Sequence, residues 1–224
     1  MVSDLTLESL PRKSVKILRP PSSTRPTIWL VEANGKRLVV KDFSRNRGFY
    51  RNVFGRFLIW REAKAYRRLS GLKGIPRYYG VVEGLALVTE FVEGKTIKQM
   101  EKEGTLSPMF FQKFRDVIDS FHKRGLAHCD LKRTPNIIVS PDGQPYVLDW
   151  AASVSERECR FYPLNKIYAR LLQDDKMALV KMKLRHIPEQ VSPEERAMYE
   201  RRSAAERLLR SIRDKLRHWL QQIA

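Results

Sequence analysis

Residues 126–150 read LAHCDLKRTPNIIVSPDGQPYVLDW. A polar loop, His128 to Asn136, leads into two short apolar runs, IIVS (137–140) and YVLD (146–149), around the turn formers Pro141-Asp142-Gly143. That pattern predicts a small hairpin with Asn136 at its entry and Asp149 at its exit, so a side-chain oxygen from each can reach one point in space. Asp130 sits at the mouth of the loop, where a carboxylate can accept a proton from an incoming hydroxyl. An amide and a carboxylate are the sparse protein ligand set of a nucleotide-bound magnesium, whose remaining positions go to phosphate oxygens and water.

Upstream, the alternation of TIWLVEA (27–33) and KRLVVKDF (36–43) around Asn34-Gly35 predicts an antiparallel hairpin. SVKIL (14–18) precedes it as a further strand, separated by the turn-rich stretch RPPSSTRP (19–26). A helix is expected from Val53 to Ser70, and GIPRYYGVVEGLALVTEFVEG (74–94) reads as two more strands around Glu83-Gly84. Lys41 ends an apolar strand, where its ammonium can hold phosphates, and Glu62 on the following helix is the acid that would orient it.

The texture changes near Gly94. Ser107-Pro108 has the form of a helix start, and Phe110, Phe114, Val117, Ile118 and Phe121 recur at helical spacing up to Gly125. Beyond the hairpin the chain reads as mostly helical. Ser192-Pro193-Glu194-Glu195 combines a capping box with proline at the first helical position. It opens a basic amphipathic helix, expected over about 194–224, with Leu208, Leu209, Ile212, Leu216, Trp219, Leu220 and Ile223 on one face.

Composition narrows the class. With 42% hydrophobic residues the 224-residue chain can pack a core, and its two cysteines, Cys129 and Cys159, make no disulfide framework. Four scattered histidines suggest no zinc cluster. No apolar run reaches membrane-span length, and the N-terminal MVSDLTLESLPRKS has no signal-peptide pattern, so a cytoplasmic protein is expected. The net charge is +18, and Lys36 to Arg77 holds 13 basic residues against two acidic ones, a net of +11. Such a field attracts phosphates, anionic lipid or nucleic acid.

Val39-Val40-Lys41, the helix Glu62, the His128-Cys129-Asp130-Leu131-Lys132 loop with Asn136, and Leu148-Asp149 together resemble the protein-kinase signature set in its chain order. The resemblance spans roughly residues 14–155. It implies an α+β, protein-kinase-like bilobal fold, with a five-stranded antiparallel N-lobe sheet and one helix (1–92) and a reduced, mainly helical C-lobe (93–224). It also implies ATP as phosphoryl donor with magnesium, bound between the lobes. Asp130 and Lys132 would be catalytic, and Lys41 and Glu62 would serve the nucleotide phosphates. LVTEFVEG (87–94) resembles the hinge between lobes, where backbone groups near Glu90 and Val92 meet the adenine. Asn136 and Asp149 would hold the metal. Within the superfamily the chain looks most like the small bacterial lipopolysaccharide-core (Kdo/heptose) sugar kinases and the RIO-type kinases.

Four departures stand out. RPPSSTRP has no glycine where the family has a glycine-rich phosphate loop. Asn136 lies six residues after Asp130, where most kinases have five. Asp149-Trp150-Ala151 replaces DFG. Cys129 stands where regulated kinases carry an arginine, and no APE segment follows, which implies a kinase without activation-loop control. The leading acceptor is a hydroxyl of a lipopolysaccharide inner-core sugar, with peripheral contact to the anionic inner-membrane surface. The interleaving of Arg45, Arg47, Arg51, Arg56 and Arg61 with Phe43, Phe49, Tyr50, Phe54, Phe57 and Trp60 suits it. A RIO-like or other protein Ser/Thr kinase and a pseudokinase binding module are the alternatives. A nucleic-acid partner is the weakest reading, since nothing resembles an RNA-reading motif.

Overall fold

The computed structural model describes residues 5–104 and 106–200, and these divide into two compact units. One holds residues 5–64 and 77–91, the other 65–76 and 92–200. The first is built on strands β1 (Ser14–Arg19), β2 (Thr27–Ala33), β3 (Lys36–Asp42), β4 (Tyr78–Val82) and β5 (Ala86–Glu90) in one antiparallel sheet of order β1-β2-β3-β5-β4. Asn34 and Gly35 both take positive φ, 52° and 70°, the conformation a two-residue hairpin turn demands. Alternation along the strands then puts Trp29, Val31, Leu38, Val40, Ala86 and Val88 in one buried cluster.

That cluster lies on one face of the sheet. It is covered by the N-terminal segment, whose Leu5 and Leu10 join the cluster, Leu10 with no exposed surface from the four-residue helix α1 (Leu10–Lys13). The β1 edge is irregular and mostly exposed, with two register shifts, features that blunt an edge against pairing with other chains.

The helix expected from Val53 begins earlier. A short turn α2 (Gly48–Tyr50) and a π-helical turn (Arg51–Gly55) run straight into α3 (Arg56–Leu69). Aromatic contacts account for the extension: Tyr50 stacks on Phe54 at 5.4 Å between ring centroids, and Phe43 meets Tyr50 at 6.3 Å. Gly55 is needed where this helix crosses Phe43, because a Cβ there would lie 2.9 Å from the Phe43 Cβ.

In the second unit, β6 (Lys95–Thr96) and α4 (Ile97–Glu103) precede α5 (Pro108–Lys123). The Ser107 hydroxyl caps α5 by accepting from the Phe110 N–H, and its six buried apolar residues include all five read at helical spacing. Then follow β7 (Leu126–Ala127), β8 (Ile137–Val139), β9 (Pro145–Val147), β10 (Val154–Ser155), α6 (Leu164–His186) and α7 (Pro193–Glu200). β8 and β9 form the expected hairpin, with β6 added at the edge of β8. The capping box at Ser192 is made in both directions, Glu195 N–H to the Ser192 hydroxyl (3.1 Å) and Ser192 N–H to the Glu195 carboxylate (3.2 Å). From residue 201 onward, the expected C-terminal helix and its apolar stripe lie outside the described residues. Among the described residues, no helix is long and apolar enough to cross a membrane.

Leu10→Ala tests whether the N-terminal segment is part of the core. It should cost about 2–5 kcal/mol in urea unfolding, as a buried leucine does when a cavity replaces it. A loss below about 0.5 kcal/mol would mean the segment merely rests on the sheet.

Candidate active site

In the first unit, β3 carries Lys41 on the face opposite Val40, and α3 carries Glu62. Their side chains form an ion pair at 2.7 Å, with Glu62 almost wholly buried. An ammonium and a carboxylate withdrawn from water cost several kcal/mol to desolvate, so such a pair is a poor device for stability alone. Glu90 lies at the end of β5, where its N–H donates to the Arg77 carbonyl (2.8 Å) and its carboxylate accepts from the Arg77 N–H (3.1 Å). Val92, buried, belongs to the second unit.

The glycine-free stretch between β1 and β2 is held by side chains that the sequence reading passed over. Asn46, buried, donates from its amide nitrogen towards the carbonyls of Ser22 (2.8 Å), Ser23 (3.2 Å) and Arg25 (3.2 Å). The Tyr50 hydroxyl donates to the Thr24 carbonyl at 3.0 Å. Burial raises the Tyr50 hydroxyl above its ordinary pKa against the pull of the Lys41 charge, which keeps it a donor. The loop therefore turns four successive carbonyls towards its own unit.

In the second unit the loop after β7 is anchored from α6. The buried Asp175 carboxylate accepts from the backbone N–H of His128 (2.7 Å) and of Cys129 (3.0 Å), and it contacts His122 Nε2 at 3.1 Å. Cys129 takes φ 68°, a left-handed conformation that costs a non-glycine residue energy and needs such anchorage. His128, fully buried, accepts the Asp130 N–H at Nδ1 (3.2 Å), so Nε2 carries the proton it gives to the Leu148 carbonyl (2.9 Å). One imidazole thus ties the Asp130 loop to the residue before Asp149. Trp150 packs edge-on against His128 at 4.6 Å and is fully buried, filling the interior behind Asp149, which itself has φ 62°.

Asp130, Asn136 and Asp149 are brought together. The Asn136 amide nitrogen points at the Asp130 carbonyl (3.2 Å) and carboxylate (3.4 Å), and its backbone carbonyl accepts the Leu148 N–H (2.8 Å). A 3-10 turn, Thr134–Asn136, leads directly into β8. Burial raises the Asp130 pKa above the ordinary aspartate value, and the Asp149 charge adds to the rise, while the Arg133 guanidinium opposes it most. Arg133 Nε lies 3.3 Å from the Asp130 carboxylate. Lys132 reaches the Asp174 carboxylate of α6 only at 3.8 Å.

The donor set can be tested against a magnesium ion. With its nitrogen turned to Asp130, Asn136 has its amide oxygen to offer a cation, and Asp149 adds a carboxylate: two hard oxygen donors. No cluster of three acidic, histidine or cysteine ligands exists among the described residues. The pair fits a cation whose other ligands arrive with a phosphorylated substrate.

Asp175→Ala should destabilise the protein by about 2–5 kcal/mol, since each buried N–H left without an acceptor costs about 1–3 kcal/mol. Asp175→Asn, which keeps one acceptor oxygen, should lose less. Equal melting temperatures for wild type and the alanine variant would show that the loop does not depend on this anchor.

No family model and no curated protein sequence matches the chain. A solved structure does. The Rio2 kinase of Chaetomium thermophilum, in an ADP/Mg2+-phosphoaspartate complex, is similar with a TM-score of 0.56 at 17% sequence identity, over 91% of this chain and 70% of that one. The chain has a protein-kinase-like bilobal α+β fold.

Proposed function

We propose that this chain is an ATP-dependent phosphotransferase that moves the γ-phosphoryl group to a hydroxyl, with a lobe boundary near residue 92. The observation that carries the reading is the buried Lys41–Glu62 pair at 2.7 Å, a costly charge arrangement that suits holding a polyphosphate. Lys41 would neutralise the α/β-phosphates while Glu62 fixes its direction. Backbone groups near Glu90 and Val92 would meet the adenine. Asn136 and Asp149 would hold magnesium, which when bound spreads the phosphate charge. Asp130 would orient the acceptor hydroxyl and take its proton, and Lys132 would leave its long contact with Asp174 for the transferring group.

The likeness of the fold to Rio2 kinase supports a RIO-like reading, with a protein hydroxyl as acceptor, better than a lipopolysaccharide inner-core sugar. The sugar reading has the basic stretch from Lys36 to Arg77 in its support. Labelled ATP offered separately to a protein mixture and to purified lipopolysaccharide core decides between them. Because the Rio2 complex contains phosphoaspartate, hydroxylamine-labile label on the chain itself is measured alongside.

ATP with magnesium should raise the melting temperature more than ATP alone. No shift from either at millimolar concentration would leave a non-nucleotide module. Asp130→Asn should cut transfer by at least ~100-fold, yet leave nucleotide binding intact. It should not lower the melting temperature at pH 7: the folded pKa of Asp130 is raised, so its charge costs stability above that pKa and nothing below the ordinary value. Asp149→Ala should instead weaken magnesium-nucleotide binding.

Arg133→Gln removes the largest influence that lowers the Asp130 pKa. The acid limb of kcat/KM should therefore move to higher pH in this variant. An unmoved limb, or one moved down, would show that Asp130 is not the group titrating there.

A further inference from the structure

The continuous helical run from Gly48 to Lys64 buries one face and, among the described residues, leaves another exposed. Phe49, Val53, Phe57 and Trp60 are 64, 49, 50 and 52% exposed. They recur at intervals of four, four and three residues, so they line one side of the helix over about 16 Å. A lone exposed apolar residue needs no explanation, but a contiguous row of large ones does. Phe49 meets Phe54 at 6.2 Å and Phe57 meets Trp60 at 6.0 Å, yet about half or more of each side chain in the row stays exposed, while Tyr50 and Phe54 stack at 5.4 Å on the neighbouring side of the helix.

The surroundings of the row are cationic. Arg45, Arg47, Arg56 and Lys64 are exposed and Arg51 and Arg61 partly so, whereas the one acid between residues 44 and 64, Glu62, is buried against Lys41. Two of the cations lie over the row itself, the Arg61 guanidinium 5.8 Å from the Phe57 ring centroid and the Lys64 ammonium 5.3 Å from that of Trp60. A protein groove accepting this helix would have to supply an apolar floor and an acidic rim together. A bilayer rich in anionic lipid supplies both everywhere: acyl chains at shallow depth and phosphates at the level of the arginines. Tryptophan and phenylalanine with adjacent arginine and lysine are the residues that sit at that boundary.

We propose that the face Phe49–Val53–Phe57–Trp60 seats this protein on an anionic membrane surface, with the helix lying in the plane of the interface. The row inserts its side chains among the lipids, and Arg45, Arg47, Arg56 and Lys64 contact headgroup phosphates. This is a surface contact, separate from Lys41 and Glu62, which point into the unit. It holds whichever acceptor the chain phosphorylates.

The test uses the full chain with Trp219→Phe, so that Trp60 reports: Trp29 and Trp150 are buried. Vesicles of phosphatidylcholine with 30% phosphatidylglycerol, carrying brominated acyl chains, should bind the protein and quench Trp60, and vesicles of phosphatidylcholine alone should bind it at least tenfold more weakly. Phe49→Ala with Phe57→Ala should lower partitioning about tenfold and abolish the quenching at constant salt. Arg45→Gln, Arg47→Gln and Arg56→Gln together should lower it roughly a hundredfold, each basic residue near an anionic surface being worth about fivefold. All variants should keep the shift in melting temperature given by ATP with magnesium, which separates failure of this surface from failure of the phosphotransfer reading. Binding without Trp60 quenching, or binding undiminished in the Phe49/Phe57 variant, would place the contact elsewhere on the chain and overturn the proposal. So would a concentration-dependent dimer that the same variant abolishes, in the absence of vesicle binding.

Discussion

Asp175 is the group on which the candidate site rests. The turn from β7 into the loop leaves the N–H groups of His128 and Cys129 directed inward, where neither a strand nor a helix supplies an acceptor. One carboxylate from α6 takes both, at 2.7 and 3.0 Å, and steadies Cys129 in its left-handed conformation. With those two peptides fixed, the next residue, Asp130, has its own N–H bound to His128 and its side chain beside Asn136. His128 passes the constraint on to Leu148, and through it to Asp149. A buried carboxylate is costly to take out of water, and hydrogen bonds from two backbone donors offset that cost.

The glycine-free loop between β1 and β2 solves a related problem by different means. A glycine-rich loop approaches phosphates closely because it has no side chains in the way and can take unusual backbone angles. Here the backbone is fixed from behind: the Asn46 amide and the Tyr50 hydroxyl gather the carbonyls of Ser22, Ser23, Thr24 and Arg25. Prolines at 20, 21 and 26 restrict the chain further, and the unfolded state loses conformational freedom with it. Rigidity then comes from hydrogen bonds and ring constraints rather than from the absence of side chains.

What could be read from the chain beforehand was local in cause. The Asn34-Gly35 turn, the alternation of β2 and β3, Ser107 capping α5 and the reciprocal box at Ser192 each depend on residues within a few positions of one another, and each stands in the structure. Lys41 and Glu62 were legible because their residue types and order resemble a known signature; their meeting at 2.7 Å is a fact of packing. Asp175 and Asn46 were not legible. Asp175 sits 46 and 47 residues from its backbone partners and Asn46 21 to 24 from its own, so no spacing rule connects them. The one local sign was a charged residue on the buried side of α6, in a helix whose apolar pattern is too weak to make it conspicuous. Leu5 and Leu10 were missed for the opposite reason: a short apolar pair before the first strand carries no periodicity from which burial can be argued.

Folded chains ordinarily bury apolar groups and leave charge outside, and this one departs from that rule in two directions. Glu62, Asp175, His128 and Asn136 are buried polar groups, and every one touches the residues through which chemistry would pass or the loops that carry them. Phe49, Phe57 and Trp60 are exposed aromatic groups, and all lie on one helix face with cations around them. Both departures meet on the same helical run, which buries Glu62 on one side and exposes Trp60 on another. The acid at 62 can face Lys41 only if the helix is held in one rotation. The inward Tyr50, Phe54 and Ile59 and the close crossing of Gly55 over Phe43 set that rotation, and once it is set Phe57 and Trp60 are left outside by the geometry of the helix. Phe57 and Trp60 pack on each other at 6.0 Å with about half of each side chain still exposed, so the rotation that buries Glu62 also presents apolar surface to the outside.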